Sequence, residues 1–380
     1  MKGKRTTARD LGIQIGNLPA GPLDAITDVA GVRVGHASII RDLDVGDETV
    51  AVRTGVTVIL PHEGNAWVEG VFAGSHILNG FGELTGLAVV RETGLLRSPI
   101  ALTNTHSLGL VRDELIRLEA SRREPGDPLA ALPVVGETWD GCLNDVNGQH
   151  VRREQVELAV AEAAPGPVEE GNVGGGTGMV CHGFKGGIGT ASRVVESPAG
   201  RFTVGALVQA NHGVRERLVV AGVPVGEELP GSEVPLPPIA GGVPAGTGSI
   251  IVILATDAPV LPYQCDRLAQ RAALGVGRTG GLGEHTSGDF MFCFSTANPG
   301  VRHLPVVGEA PGVAAVEMLP DNHISPFFQA VVESTEEAIV NALLAAETMT
   351  GMNGVTAHAL GAERLQRVVA AHGSTGPQVG

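Results

Sequence analysis

Glycine is the residue that most constrains how this chain can fold. It supplies 55 of 380 positions, about twice the usual share of roughly 7%. Many of these glycines sit among apolar residues, as in Gly174-Gly175-Gly176-Thr177-Gly178, so the chain calls for tight turns and close backbone approaches inside a packed structure. There is no Gly-X-Y period, which excludes a collagen-like fold, and the apolar surroundings are unlike a flexible linker. With 43% hydrophobic and 18% charged residues, the chain can bury a large core, and intrinsic disorder is excluded as its general state.

The formal charge is −15, and the basic residues form no cluster beyond Lys2–Arg5. Nucleic acid and anionic membrane are therefore poor partners. No apolar run follows the basic start, and no stretch is long enough to span a bilayer, so the expectation is a soluble, cytoplasmic protein. Cys142, Cys181, Cys265 and Cys293 are far apart and form no CxxC pair, which predicts free and mostly buried thiols.

Short Val- and Ile-rich runs at Val56–Leu60, Val204–Val208, Ser249–Leu254 and Gly312–Met318 predict buried strands. Asn65–Leu84, Val111–Arg123, Glu154–Ala164, Leu261–Leu274 and Pro326–Glu347 carry helical spacing. This mixture predicts an α/β or α+β layered fold. Glu124–Pro133 reads as a surface loop. The proline-rich stretch from Gly222 to Gly248 is a long connection that runs straight into an apolar strand.

Common catalytic templates are missing: there is no Walker A sequence, no G-x-S-x-G and no HExxH. Gly275-Val276-Gly277-Arg278-Thr279-Gly280 has the spacing of a dinucleotide fingerprint but follows an apparent helix, so it reads as a glycine-rich helix end. Twelve histidines are scattered along the chain, and the spacing of residues such as His182 and His212 does not support a metal site. Two features stand out. Ser249 places a hydroxyl at the mouth of a buried strand, just behind Gly246 and Gly248. Ser287 and Asp289, two apart, share one face of an extended backbone, where a carboxylate can orient a serine, although Ser-Gly-Asp is also ordinary turn chemistry.

Longer tracts bear on function. Ile26–His36, Thr54–Pro61, Leu102–Thr105, Glu137–Val146, Gly171–Arg193, Val208–Asn211, Gly246–Pro259 and Ser287–Thr296 resemble the L-aminopeptidase/D-esterase and β-aminopeptidase family. The most specific of them is Gly-Asn-Val-Gly-Gly-Gly-Thr-Gly-Met at 171–179, continued by Phe-Lys-Gly-Gly-Ile-Gly-Thr at 184–190. These are serine hydrolases made as one precursor that cuts itself just before the nucleophile.

The resemblance implies an α+β fold, a four-layer αββα sandwich, with residues 1–380 as one structural domain. It implies a scissile bond between Gly248 and Ser249, giving an α chain of 1–248 and a β chain of 249–380. Ser249 is then the catalytic nucleophile, and its freed α-amine, with a reference pKa of about 7.7–8.0, can act as base. Ser287 and Asp289 are implied to orient the nucleophile or assist proton transfer. Asn211 is implied as the oxyanion donor and Glu137 as the carboxylate that binds the substrate's free amine. Trp139 stands where some relatives carry tyrosine, and it either walls the substrate pocket or simply packs. Lys185 is a candidate site cation, with a solvated or ion-paired lysine as the plainer reading. The expected substrates are small peptides, amides or esters with a free amine, whether α-L, β or D; no metal or other cofactor is required, and the expected assembly is a homo-oligomer, a tetramer of αβ units. An ornithine acetyltransferase-like transfer and an unprocessed, non-catalytic binding homologue are the alternatives. Ser rather than Thr at 249, and an intact Ser249, Asn211, Ser287 and Asp289, count against them.

Overall fold

The computed structural model describes residues 6–46, 48–123, 132–238, 248–299 and 312–373. Ten strands build two sheets: β1 (Arg33–Val45), β2 (Glu48–Leu60), β3 (Val71–Gly80), β4 (Leu95–Leu96), β5 (Ile100–Asn104), β6 (Val134–Thr138), β7 (Gly187–Ser197), β8 (Gly200–Asn211), β9 (Ser249–Thr256) and β10 (Gly288–Ser295). One sheet has the order β1-β2-β5-β6 and the other β4-β3-β10-β9-β8-β7. Two helices, α1 (Leu108–Arg122) and α2 (Arg153–Ala161), cover the first sheet; α3 (Pro262–Arg278) and α4 (Ser325–Ala345) cover the second.

Strand β9 shows how the layers arise from sequence. All eight of its residues are buried, and successive side chains point to opposite faces. Ile251 and Ile253 enter the core between the sheets with Ile59, Ile100 and Leu102, while Ile250, Val252 and Leu254 enter the core under α3 and α4 with Leu268 and Ile339. Helix, sheet, sheet and helix thus stack in four layers, an α+β architecture. Helix α3 starts on Pro262 and buries Cys265, Leu268, Ala269, Ala272 and Val276, the spacing of one helical face. Helix α4 is buried almost all round, including Glu333 and Glu337, because fully buried Arg193 reaches both carboxylates at 3.1 and 2.5 Å.

The glycine tract fills the gap between the sheets. A Cβ on Gly175 would stand 2.1 Å from Gln209 Oε1 and 2.7 Å from the Leu102 carbonyl oxygen, so only glycine fits there. Two readings from periodicity need correction. Within Asn65–Leu84 the chain forms strand β3, because Val71, Phe72 and Ala73 are apolar in succession and pair with β4 and β10; the spacing alone cannot separate the two states. Gly312–Met318 is not a strand: it lies on the surface with Val313 fully exposed and no ladder partner among the described residues. The 222–248 connection also contains a short helix, Val225–Glu228. Most of the Glu124–Pro133 loop, and Gly246, lie outside the described residues.

Candidate active site

Three chain segments distant in sequence meet at one edge of the six-stranded sheet. Strands β9 and β10 run parallel and so begin at the same edge, where antiparallel β8 ends. The register therefore sets Ser249 between Asn211 and Gly288. The Gly288 N–H donates to Ser249 Oγ at 3.1 Å. Behind the serine, a Cβ on Gly248 would stand 1.9 Å from the Asn211 carbonyl oxygen; glycine is the residue that allows the chain to enter β9 this close to β8.

Next to the serine, Ser287 Oγ donates to Asp289 Oδ1 at 2.6 Å, and the same oxygen accepts from the Ile250 N–H at 3.3 Å. Asp289 Oδ2 is buried and has no hydrogen-bond partner among the described residues. Burial pushes the Asp289 carboxyl up to about 6; its hydrogen bonds with Ser287 and Ile250 pull it down, and Glu284 adds to the rise. A carboxylate in this state can gain or lose a proton near neutrality.

On the other side, Asn211 Oδ1 accepts from the Val180 N–H at 2.7 Å and Nδ2 donates to the Trp139 carbonyl at 2.9 Å. These two bonds fix the amide's orientation, and the primary amide has a second N–H to offer. Opposite, β6 delivers Glu137. Its Oε1 accepts from the Glu83 N–H at 2.9 Å and its Oε2 from the Thr105 hydroxyl. A Cβ on Gly82 would stand 2.8 Å from Glu137 Oε1 and 3.1 Å from Gly288 Cα, so one glycine separates this carboxylate from the strand start beside Ser249. Burial raises the Glu137 carboxyl above the ordinary range against those two hydrogen bonds, with Glu83 adding to the rise. Trp139 is 39% exposed and meets the His106 ring edge-on at 5.6 Å, forming a wall open to solvent on this side.

A hydroxyl at a strand mouth, a fixed amide donor, a serine–carboxylate pair and a buried carboxylate with no Lys or Arg ion pair among the described residues suit acyl transfer from a substrate that carries an amine. The profile of Peptidase family S58 matches residues 24–357. The chain belongs to that family. It is 48% identical to the β-peptidyl aminopeptidase BapA of Sphingosinicella microcystinivorans, over 95% of this chain and 91% of that protein. A Burkholderia sp. β-aminopeptidase structure superposes with a TM-score of 0.89 at 50% identity, covering 96% of this chain and 99% of that one. The L-aminopeptidase D-Ala-esterase/amidase of Ochrobactrum anthropi, described as a variant of the Ntn hydrolase fold, superposes at 0.86 with 44% identity, covering 97% and 99%. This S58 chain is accordingly a serine aminopeptidase/amidase, a hydrolase acting on peptide-type substrates.

The S58 site contains residues that sequence spacing did not single out. Thr105 bonds Glu137, and His106 packs on Trp139; both lie in or beside the Leu102–Thr105 tract, whose polar end was the available signal. Gln209 Nε2 donates to the Thr103 carbonyl at 2.9 Å and to Thr138 Oγ1 at 2.8 Å, tying β8 to the ends of β5 and β6. Asp140 is fully buried, and burial pushes it up to about 7 against bonds from Thr54, Asn144 and Asn104. Lys185 is not solvated and has no ion pair among the described residues: its buried ammonium donates to the carbonyls of Gly176 and Gly186 at 3.2 and 2.8 Å, and burial lowers it to about 7. Cys181, Cys265 and Cys293 are buried free thiols. Among the described residues no helix is long and apolar enough to cross a membrane.

Proposed function

We propose that this S58 hydrolase is a self-processing β-peptidyl aminopeptidase that cuts itself between Gly248 and Ser249. Ser249 Oγ attacks the Gly248 carbonyl carbon; the C–N bond breaks, the acyl group passes to oxygen, and the nitrogen leaves as the free α-amine. Water then hydrolyses the ester, releasing the Gly248 carboxylate and restoring the hydroxyl. The products are 1–248 and 249–380, two chains of one structural domain. In the mature enzyme the α-amine takes the Ser249 proton as Oγ attacks the substrate carbonyl, and the leaving amine or alcohol takes it away; water then hydrolyses the acyl–Ser249 ester, releasing the acid and restoring the hydroxyl. Asn211 donates to the oxyanion, Ser287 and Asp289 hold the nucleophile's surroundings, Glu137 receives the substrate ammonium and Trp139 walls the pocket.

The observation that carries this reading is the convergence of Ser249, Asn211 and Asp289 at one sheet edge with Glu137 facing them. The preference for a β residue is supported by the β-aminopeptidases at 48% and 50% identity. Assembly as a tetramer of processed units in the cytoplasm completes the proposal. Denaturing mass analysis of the purified protein should show fragments ending at Gly248 and beginning at Ser249, and native mass analysis a tetramer. A panel of p-nitroanilides of β-homoamino acids, L-amino acids and D-amino acids should give the highest kcat/KM for the β series. A preparation that stays uncut after long incubation, or a panel led by the α-L series, overturns the corresponding part.

A further inference from the structure

One cluster plays no part in this chemistry. Cys181, His182 and His212 are buried, at 0, 0 and 3% exposure. Each offers one donor atom, and the three donors lie within 4.8 Å of one another. The spacing of His182 and His212 in sequence gave no sign of this; the fold brings their rings to 5.1 Å.

We propose that Cys181, His182 and His212 bind a single borderline-soft divalent cation of the zinc type. The bonding within the cluster favours a ligand set over three packed side chains. His182 Nδ1 lies 3.0 Å from the Val214 carbonyl, which fixes its proton there and leaves Nε2 as a lone pair, yet that Nε2 is buried and has no partner among the described residues. A ring nitrogen donating to a backbone carbonyl while the other nitrogen is bare is how metal-binding imidazoles are oriented. Cys181 Sγ lies 3.8 Å from His212 Nδ1 and accepts from the His212 backbone N–H. A tetrahedral ion with bonds of about 2.3 Å to sulfur and about 2.0 Å to nitrogen holds such donors roughly 3.5 Å apart, so donors now within 4.8 Å of one another must draw together by up to about 1.3 Å to close the site.

The frame around the cluster is rigid. The His182 N–H donates to the His212 carbonyl at 2.7 Å, and Arg215 donates to the carbonyls of His182 and Gly183 at 3.0 and 2.6 Å. Lys185, also near the cluster, is turned toward the carbonyls of Gly176 and Gly186. Binding would deprotonate the Cys181 thiol, forming the metal–sulfur bond and releasing one proton, with water at the fourth position. The ion would pin Asn211, which precedes His212 and whose Oδ1 is held by Val180, one residue before Cys181. This is a structural role and is independent of the proposed cleavage.

The test uses the untagged full-length protein produced in minimal medium with cobalt in place of zinc, so that the ion is present as the chain folds. About one cobalt per chain and a thiolate-to-cobalt charge-transfer absorption are expected. Cys181→Ser should abolish that absorption. His182→Phe, which keeps a ring in the same space, should lower bound cobalt at least tenfold while leaving the circular dichroism unchanged. Protein recovered without cobalt, cobalt bound without the charge-transfer absorption, or equal cobalt content in wild type and His182→Phe overturns the proposal.

Discussion

Ser287 Oγ donates a 2.6 Å hydrogen bond to Asp289 Oδ1, and that oxygen also lies 3.3 Å from the backbone nitrogen of Ile250, the residue after Ser249. The carboxylate is thus linked to Ser249 by two short paths, one through neighbouring Gly288, whose N–H donates to Ser249 Oγ, and one through Ile250. Its second oxygen has no partner among the described residues, so the site keeps one proton-accepting position open.

The raised Asp289 carboxyl sets a pH dependence. Its folded value of about 6 lies above the ordinary 3.8, so the folded state holds the proton more tightly than the unfolded chain does. The stabilisation from the protonated form is complete below 3.8 and is lost as pH rises through about 6. Asp289→Asn should therefore raise Tm relative to wild type more at pH 8 than at pH 4, by up to about 3 kcal/mol of stability at the higher pH. In kinetics, kcat/KM of the wild type should rise with pH through an inflection near 6, and Asp289→Asn should lose that inflection and lower the plateau. An unchanged acid limb in the variant would show that another group sets it.

Ser249→Ala should leave an uncut chain of residues 1–380 with no aminopeptidase activity, because it removes the oxygen proposed to attack both in self-cleavage and in catalysis. Gly248→Ala probes geometry instead. Its added Cβ would meet the Asn211 carbonyl at 1.9 Å, so β9 must shift away from β8 and Ser249 must move with it. A time course of denaturing mass spectra should show cleavage slowed at least tenfold in Gly248→Ala, since a displacement on the order of 1 Å at a reacting centre is worth about 10²-fold.

Much of this architecture is legible in the sequence because strand and helix periodicity follow from burial on known faces. Ile250 to Leu254 reads as a buried strand from composition alone, and Ser287 and Asp289 share a face because an extended backbone places residues two apart together. Where burial and periodicity part company, the sequence misleads. Val313, Val316 and Met318 are apolar yet exposed, and the Val71–Ala73 run fits helix and strand templates equally well until β10 pairs with it. The site's contacts are harder still. That Thr105 meets Glu137 or that Gln209 bridges two sheets depends on pairings between segments tens of residues apart, which no local spacing encodes.

Glu137→Gln keeps the shape of the side chain and removes its charge. Loss of a buried partner for an ammonium is worth about 2–3 kcal/mol, so kcat/KM for amine substrates should fall roughly 30- to 150-fold. The sharper readout compares each substrate with its hydroxy-acid analogue, where a hydroxyl replaces the ammonium. Wild type should prefer the amine strongly, and the preference should shrink toward unity in Glu137→Gln. A preference that survives the substitution would place amine recognition elsewhere.

Asn211 offers the most direct test of transition-state stabilisation. Two of its amide positions are committed, to the Val180 N–H and the Trp139 carbonyl, and the remaining N–H is the one proposed to meet the oxyanion. Asn211→Ala should lower kcat by about 10²–10³, the usual loss for one oxyanion donor, with KM changed little because the ground-state carbonyl gains less from that bond than the oxyanion does. Self-cleavage passes through the same kind of tetrahedral centre at Gly248, so maturation of Asn211→Ala should slow as well. To separate the two effects, kcat is normalised to the fraction of chains with a free Ser249 amine, measured by N-terminal labelling. A normalised kcat equal to wild type would mean that Asn211 serves only to hold the Val180 and Trp139 backbones in place.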